Sequence, residues 1–148
     1  MFEFFDDFDC LYGDKVILKI IEKNDGNNEL LPFYYYNIYN LENIHVGKIS
    51  IRIGHNFHSY YNGHLGYEIF DEYRGNYYSY KAARQLFQIA KAHQMSELFL
   101  TCAQSNAASI KIIEKLGAIK KEVVKIPEEC FFYRDGIEDY CIYTLSLS

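Results

Sequence analysis

The sequence is short of proline, of long apolar runs, of positive charge and of paired cysteines, and each shortage excludes something. Only 2 of its 148 residues are proline while 49% are hydrophobic, a balance that excludes a disordered or low-complexity chain and describes a packed globular domain. No apolar run approaches the roughly 20 residues of a membrane span, and the first residues are acidic with no basic leader segment; a cytoplasmic location away from membranes is the expectation. Lys and Arg number 15 against 20 Asp and Glu, a formal charge of −5. Phosphate neutralisation needs a basic face, so a nucleic-acid partner is not expected, and the acidic balance leans towards a cationic substrate. Cys10, Cys102, Cys130 and Cys141 form no C-x-x-C pair, so neither a zinc site nor a disulfide framework is suggested.

What is present is a set of alternating and helical patterns in one domain-sized chain, residues 1–148. Residues 1–14 mix aromatics with carboxylates and read as a terminal arm. Lys15–Lys23, Phe33–Tyr39, Val46–Ile53 and Leu65–Phe70 read as strands, with a strong turn signal in N-D-G-N-N at 24–28. Residues 77–93 form a helical pattern, Glu97–Cys102 a buried strand, and Asn106 caps a second helix ended by Gly117. Strands follow near Ala118–Ile126 and at Tyr140–Leu147. This is a mixed α/β layer pattern. The stretch from Gly63 to Ala83 passes from strand to helix across one polar turn, which aims a helix N-terminus at whatever lies beyond the strand. That is a phosphate seat.

Within that turn, Arg74-Gly75-Asn76-Tyr77-Tyr78-Ser79 resembles the acyl-CoA pyrophosphate loop of the GNAT N-acetyltransferase family, Gln/Arg-x-x-Gly-x-Gly/Ala, with Tyr77 and Ser79 in place of the usual small residues. L-F-L-T-C-A-Q-S-N-A-A-S-I-K-I-I-E-K-L-G-A at 98–118 resembles the family's next strand and helix. The likeness covers about residues 44–147, and R-I-G-H-N with G-H-L-G-Y resembles a small bacterial branch of the family. It implies a mostly antiparallel twisted sheet flanked by helices, an α/β (α+β) fold. The helix pair usually found between the first two strands is expected to be reduced or absent, because the polar residues before Phe33 are too few to hold it.

The resemblance also implies acetyl transfer from acetyl-CoA, with no metal, to an amine of a small molecule or a protein; a homodimer is left open. Arg74, Gly75, Asn76, Tyr77, Tyr78 and Ser79 would surround the pyrophosphate, Asn106 and Ser109 would flank the pantetheine arm, and a backbone N–H near Ile69 or Phe70 would meet the carbonyl oxygen. Glu68, among apolar strand neighbours that would desolvate it, is the candidate base; the plainer reading is an exposed or salt-bridged strand residue. Two tyrosine-rich segments, with Tyr35 in one and His55, His58, Tyr61 and His64 in the other, are candidates for the acceptor wall, although tyrosine also simply suits half-buried strands. No carboxylate or cysteine completes a metal site around those histidines. The family's usual acid position, seven residues after Asn106, is Ile113, with Ser109, Cys102 and Tyr143 as substitutes. The other class of protein compatible with these residues is a catalytically impaired CoA-binding or protein-interaction module of the same fold.

Overall fold

Period-two alternation builds the larger part of the molecule, as seen in a computed structural model that describes residues 2–147. β1 (Cys10–Tyr12), β2 (Val16–Asn24), β3 (Phe33–Asn40), β4 (His45–Arg52) and β5 (Leu65–Ile69) lie side by side in sequence order, every pair antiparallel. On one face Val16, Leu18, Tyr34, Tyr36, Ile38, Ile49 and Ile51 are buried. Helix α2 (Tyr78–Ala92) packs on the sheet, burying Ala82, Ala83, Leu86, Ile89 and Ala90 at helical spacing. The phenol groups buried with them are satisfied: the Tyr36 hydroxyl donates to the Phe8 carbonyl at 2.7 Å, and the Tyr34 oxygen accepts from the Phe5 N–H and lies 2.8 Å from His93 Nε2. These bonds tie the N-terminal arm over the core, as expected of buried polar groups.

The opposite face of β2–β5 has a different character. Cross-strand register places Lys19, Asn37, Lys48 and Glu68 in one row and Tyr35, Ser50 and Gly66 in the next. All are at least partly exposed. The remaining helices, α1 (Phe57–Asn62) and α3 (Ala107–Lys115), pack on a second sheet of three strands, β6 (Glu97–Ala103), β8 (Tyr140–Ser146) and β7 (Ile119–Val124), in the spatial order β6-β8-β7.

Among the described residues the two sheets join at one end, through His64. Its Nδ1 accepts the Phe99 N–H at 2.8 Å, so Nε2 carries the proton and donates to the Gly54 carbonyl at 2.7 Å. The His64 N–H donates to Phe99 O, and the Thr101 hydroxyl donates to Tyr61 O. Gly63 sits against this seam with φ +77°, and a Cβ there would lie 3.1 Å from Phe99 O and Thr101 Oγ1. Past this point the strands part, and a cleft opens beside the C-terminal end of β5.

The elements differ from the sequence reading in two places. The arm at 1–14 contains a strand, β1, paired with β2, and a single turn of 3-10 helix at Asp6–Phe8; Met1 lies outside the described residues. Residues 57–62, in the second tyrosine-rich segment, where the sequence patterns give no helix, form α1 through a reciprocal cap in which Asn56 Oδ1 accepts the Ser59 N–H and Ser59 Oγ accepts the Asn56 N–H. Between β2 and β3, residues 25–32 form a turn closed by Asn24 and Asn27 side chains, with no helix. Among the described residues no helix is long and apolar enough to cross a membrane.

Candidate active site

The cleft beyond the seam is a cavity of about 550 Å³ where β5, α2 and α3 converge. Its lining includes Glu68, Ile69, Arg74, Gly75, Asn76, Tyr77, Tyr78, Ser79, Asn106 and Ser109, together with Tyr67, Tyr73, Ala108, Lys111 and Ile112. Residues far apart in sequence are thus brought to one volume, with the turn after β5 on one side and the first turn of α3 on the other.

The turn supplies an anion seat. The first N–H groups of any helix lack intrahelical partners and carry the positive end of its dipole. In α3 one of them is taken by Asn106, whose Oδ1 accepts the Ser109 N–H at 3.1 Å. In α2 no side chain caps the N-terminus. Its cap residue is Tyr77, held left-handed at φ 61°, ψ 24°, which places its ring 5.0 Å from Lys115 Nζ. Gly75, at φ 88°, faces open space: a Cβ there would meet nothing within 4 Å. Arg74 bends back, Nε donating to the Ile69 carbonyl at 3.3 Å with Nη2 3.3 Å from Asp71. Uncapped N–H groups, a bare glycine and an exposed guanidinium fit the phosphates of a nucleotide-bearing cosubstrate.

Across the cavity the Tyr67 and Ser109 hydroxyls are 3.0 Å apart. Burial raises the Tyr67 pKa, offset in part by that hydrogen bond. Burial pushes the Cys102 thiol up to about 11. Tyr143 is pushed up to about 12, by burial first and then by Glu114, to which its hydroxyl donates at 3.2 Å; neither lines the cavity. Ile113 is buried in the core. No sequence signal marks Tyr67, whose strand position gives it a core-facing side chain; its hydroxyl meets Ser109 where the sheets part.

Several expected site residues stand elsewhere. Glu68 is on the cavity rim but exposed, because it belongs to the uncovered sheet face opposite Lys48; the burial expected of it is absent. The Phe70 N–H donates to Val46 O at 2.9 Å and Phe70 does not line the cavity. Strand alternation turns the Ile69 N–H the other way, to the parted edge, so of the two it is the one that can serve as a donor. His64 is fully buried, with both nitrogens bonded, and cannot touch a substrate. Burial holds its pKa down to about 4. His55 packs its ring on His64 and Phe99, and Tyr61 on Phe57 and Tyr60. His58, whose Nδ1 accepts the Phe131 N–H, borders a separate small cleft with Arg52. Tyr35 lies on the uncovered face, two strands from Glu68.

The model of the acetyltransferase (GNAT) domain family matches residues 13–119. Among solved structures, an acetyltransferase of the GNAT family from Bacillus anthracis is similar over 93% of this chain and 98% of its own, at 15% identity and TM-score 0.67. The Salmonella typhimurium acetyltransferase that modifies the N-terminal serine of ribosomal protein L7/L12 is similar over 78% of this chain and 64% of its own, at 16% identity and TM-score 0.60. The microcin C7 self-immunity acetyltransferase MccE, solved with acetyl-CoA and AMP, is similar over 77% of this chain and 61% of its own, at 18% identity and TM-score 0.60. Among curated proteins there is no significant sequence match.

Proposed function

The chain belongs to the GNAT acetyltransferase family, and from that premise we propose that it moves the acetyl group of acetyl-CoA to a primary amine by direct attack on the thioester. The observation that carries this reading is the convergence on one cavity of the uncapped α2 N-terminus, the Arg74–Ser79 turn and the Asn106–Ser109 turn, with Glu68 at its rim.

An alkylamine near pKa 10.4 is almost wholly protonated at neutral pH, so its nitrogen must first lose a proton. Glu68, exposed on the sheet face beside the cavity, takes it through a water. The neutral nitrogen then attacks the carbonyl carbon, the C–N bond forms, and the oxygen draws a hydrogen bond from the Ile69 N–H. As the C–S bond breaks the thiolate leaves, and the nitrogen, positively charged once the C–N bond has formed, gives up its second proton to become the amide, replacing the one the sulfur takes up. Tyr67, kept protonated by burial, is the cavity hydroxyl available to return a proton to the thiolate. The acceptor is a small amine or a protein amine such as an N-terminus, which the Salmonella typhimurium protein modifies.

Glu68→Gln keeps the volume but cannot accept the proton. It should lower kcat/KM by about 10²–10⁴-fold, leave acetyl-CoA affinity unchanged, and lose less as pH rises and free amine becomes more abundant. Calorimetry with acetyl-CoA, followed by thiol release over an amine panel, checks the reading as a whole. The left-handed Tyr77 favours a second reading, a module that binds CoA without turnover; such a protein would give heat in the first measurement and no thiol in the second.

A further inference from the structure

The uncovered sheet face holds more positive charge than the acidic chain leads one to expect. Lys19 and Lys48 stand in the same cross-strand row as Asn37 and Glu68, and Arg52 follows Lys48 and Ser50 along β4. Among the described residues none of these three cations has a carboxylate within 4 Å, whereas Lys23, Arg74 and Lys81 all have one. Arg52 is the unusual one. The residue is half-buried, and burial lowers its pKa. Of its five N–H donors one has an acceptor among the described residues: Nη1 donates to the Gly63 carbonyl at 2.9 Å.

The guanidinium lies over Gly66. A Cβ built on that glycine would come 3.1 Å from Arg52 Nη2 and 3.3 Å from Ser50 Oγ. The bare glycine leaves room for the guanidinium against the β5 backbone, with Nη1 on Gly63 and Nη2 over Gly66, two residues from Glu68. A half-buried charge with no carboxylate beside it among the described residues is costly, and a planar fork is matched to a carboxylate. Two residues of strand span about 6.6 Å, close to the amine-to-carboxylate reach of an extended dipeptide.

We propose that the acceptor carries a carboxylate as well as an amine, an amino-acid or dipeptide-sized molecule whose carboxylate pairs with Arg52 while its amine lies at Glu68 beside the cavity. This rests on the acetyltransferase reading for the amine and on Arg52 for the carboxylate. It also reverses the lean towards a purely cationic substrate that net charge alone suggests.

The test uses the full chain saturated with CoA, so that no acetyl group is present, and measures binding of glycylglycine against glycylglycinamide by calorimetry. Glycylglycine should bind at least about tenfold more tightly, as expected for a charge-assisted pair. In Arg52→Gln the ratio should fall to about one. In Gly66→Ala, where a methyl group displaces the guanidinium without removing its charge, the ratio should fall as well, which covers the case in which Arg52→Gln does not fold. CoA binding should be unchanged in both, showing that the cavity is intact. Equal or tighter binding of the amide, no binding of glycylglycine at millimolar concentration, or a preference that survives in Arg52→Gln would overturn the proposal. A preserved carboxylate preference with no thiol released from acetyl-CoA on any amine would instead sink the acetyltransferase reading and leave the carboxylate seat standing.

Discussion

Tyr77 shows what a single residue contributes at this site. A left-handed backbone costs an L-residue roughly 1–2 kcal/mol, and more for a β-branched side chain. Here it is held at φ 61° although 42% of the residue is exposed. Tyr77→Gly should therefore exceed Tyr77→Val in stability by about 1–2 kcal/mol in urea unfolding, a difference an exposed position with ordinary backbone would not show. If the two variants unfold together, the turn is not left-handed in solution. Single residues also mark where the sequence could be read and where it could not. Arg74 through Ser79 are contiguous, so their clustering was visible in one dimension. Arg52 and Tyr67 meet their partners only through the β4–β5 register and the parting of the sheets, which no local pattern encodes. His64 reads in the sequence as a candidate for the acceptor wall, whereas its ring nitrogens replace missing backbone partners at the seam.

At the scale of elements, the N-terminus of α2 and the His64 seam each make a prediction. Ser79 lies in the first turn of α2 and lines the cavity. Ser79→Asp adds a charge that the helix dipole favours and a bound pyrophosphate repels. The free protein should keep its melting temperature while the upward shift caused by acetyl-CoA disappears; a retained shift would remove the turn from the cosubstrate site. For His64, the unfolded ring gains a proton near pH 6.5 but the folded one only near pH 4. Between those values the unfolded chain holds more protons, so stability falls as pH falls, by about 3 kcal/mol across the window. Urea midpoints measured over that range should show the decline, and His64→Asn, less stable overall, should flatten most of it. His93, also shifted down by burial, supplies part of what remains. The elements themselves were legible where periodicity was long: β2 to β6, α2 and α3 stand close to the spans their patterns predict. β1 is three residues of ordinary composition, and α1 is a run of poor helix formers held by its capping box and by packing on β6.

For the whole molecule the main fact is that two sheets are fastened at one end and apart at the other. A cosubstrate whose phosphates sit at α2 and whose carbonyl meets the Ile69 N–H would carry a longer acyl chain back along β5 towards the fastening, into the angle where the two sheets close on one another through His64 and Phe99. The molecule is then a gauge with a fixed stop. Rates should fall in the order acetyl-, butyryl-, octanoyl-CoA, through kcat more than through affinity, since the phosphate end binds alike in all three. Equal turnover of octanoyl-CoA would mean that the stop gives way. If it holds, acyl length is measured not by a pocket wall that one substitution could enlarge but by the hydrogen bonds that keep the two halves of the protein together, so a variant that accepts a longer chain should also be a variant that folds less firmly.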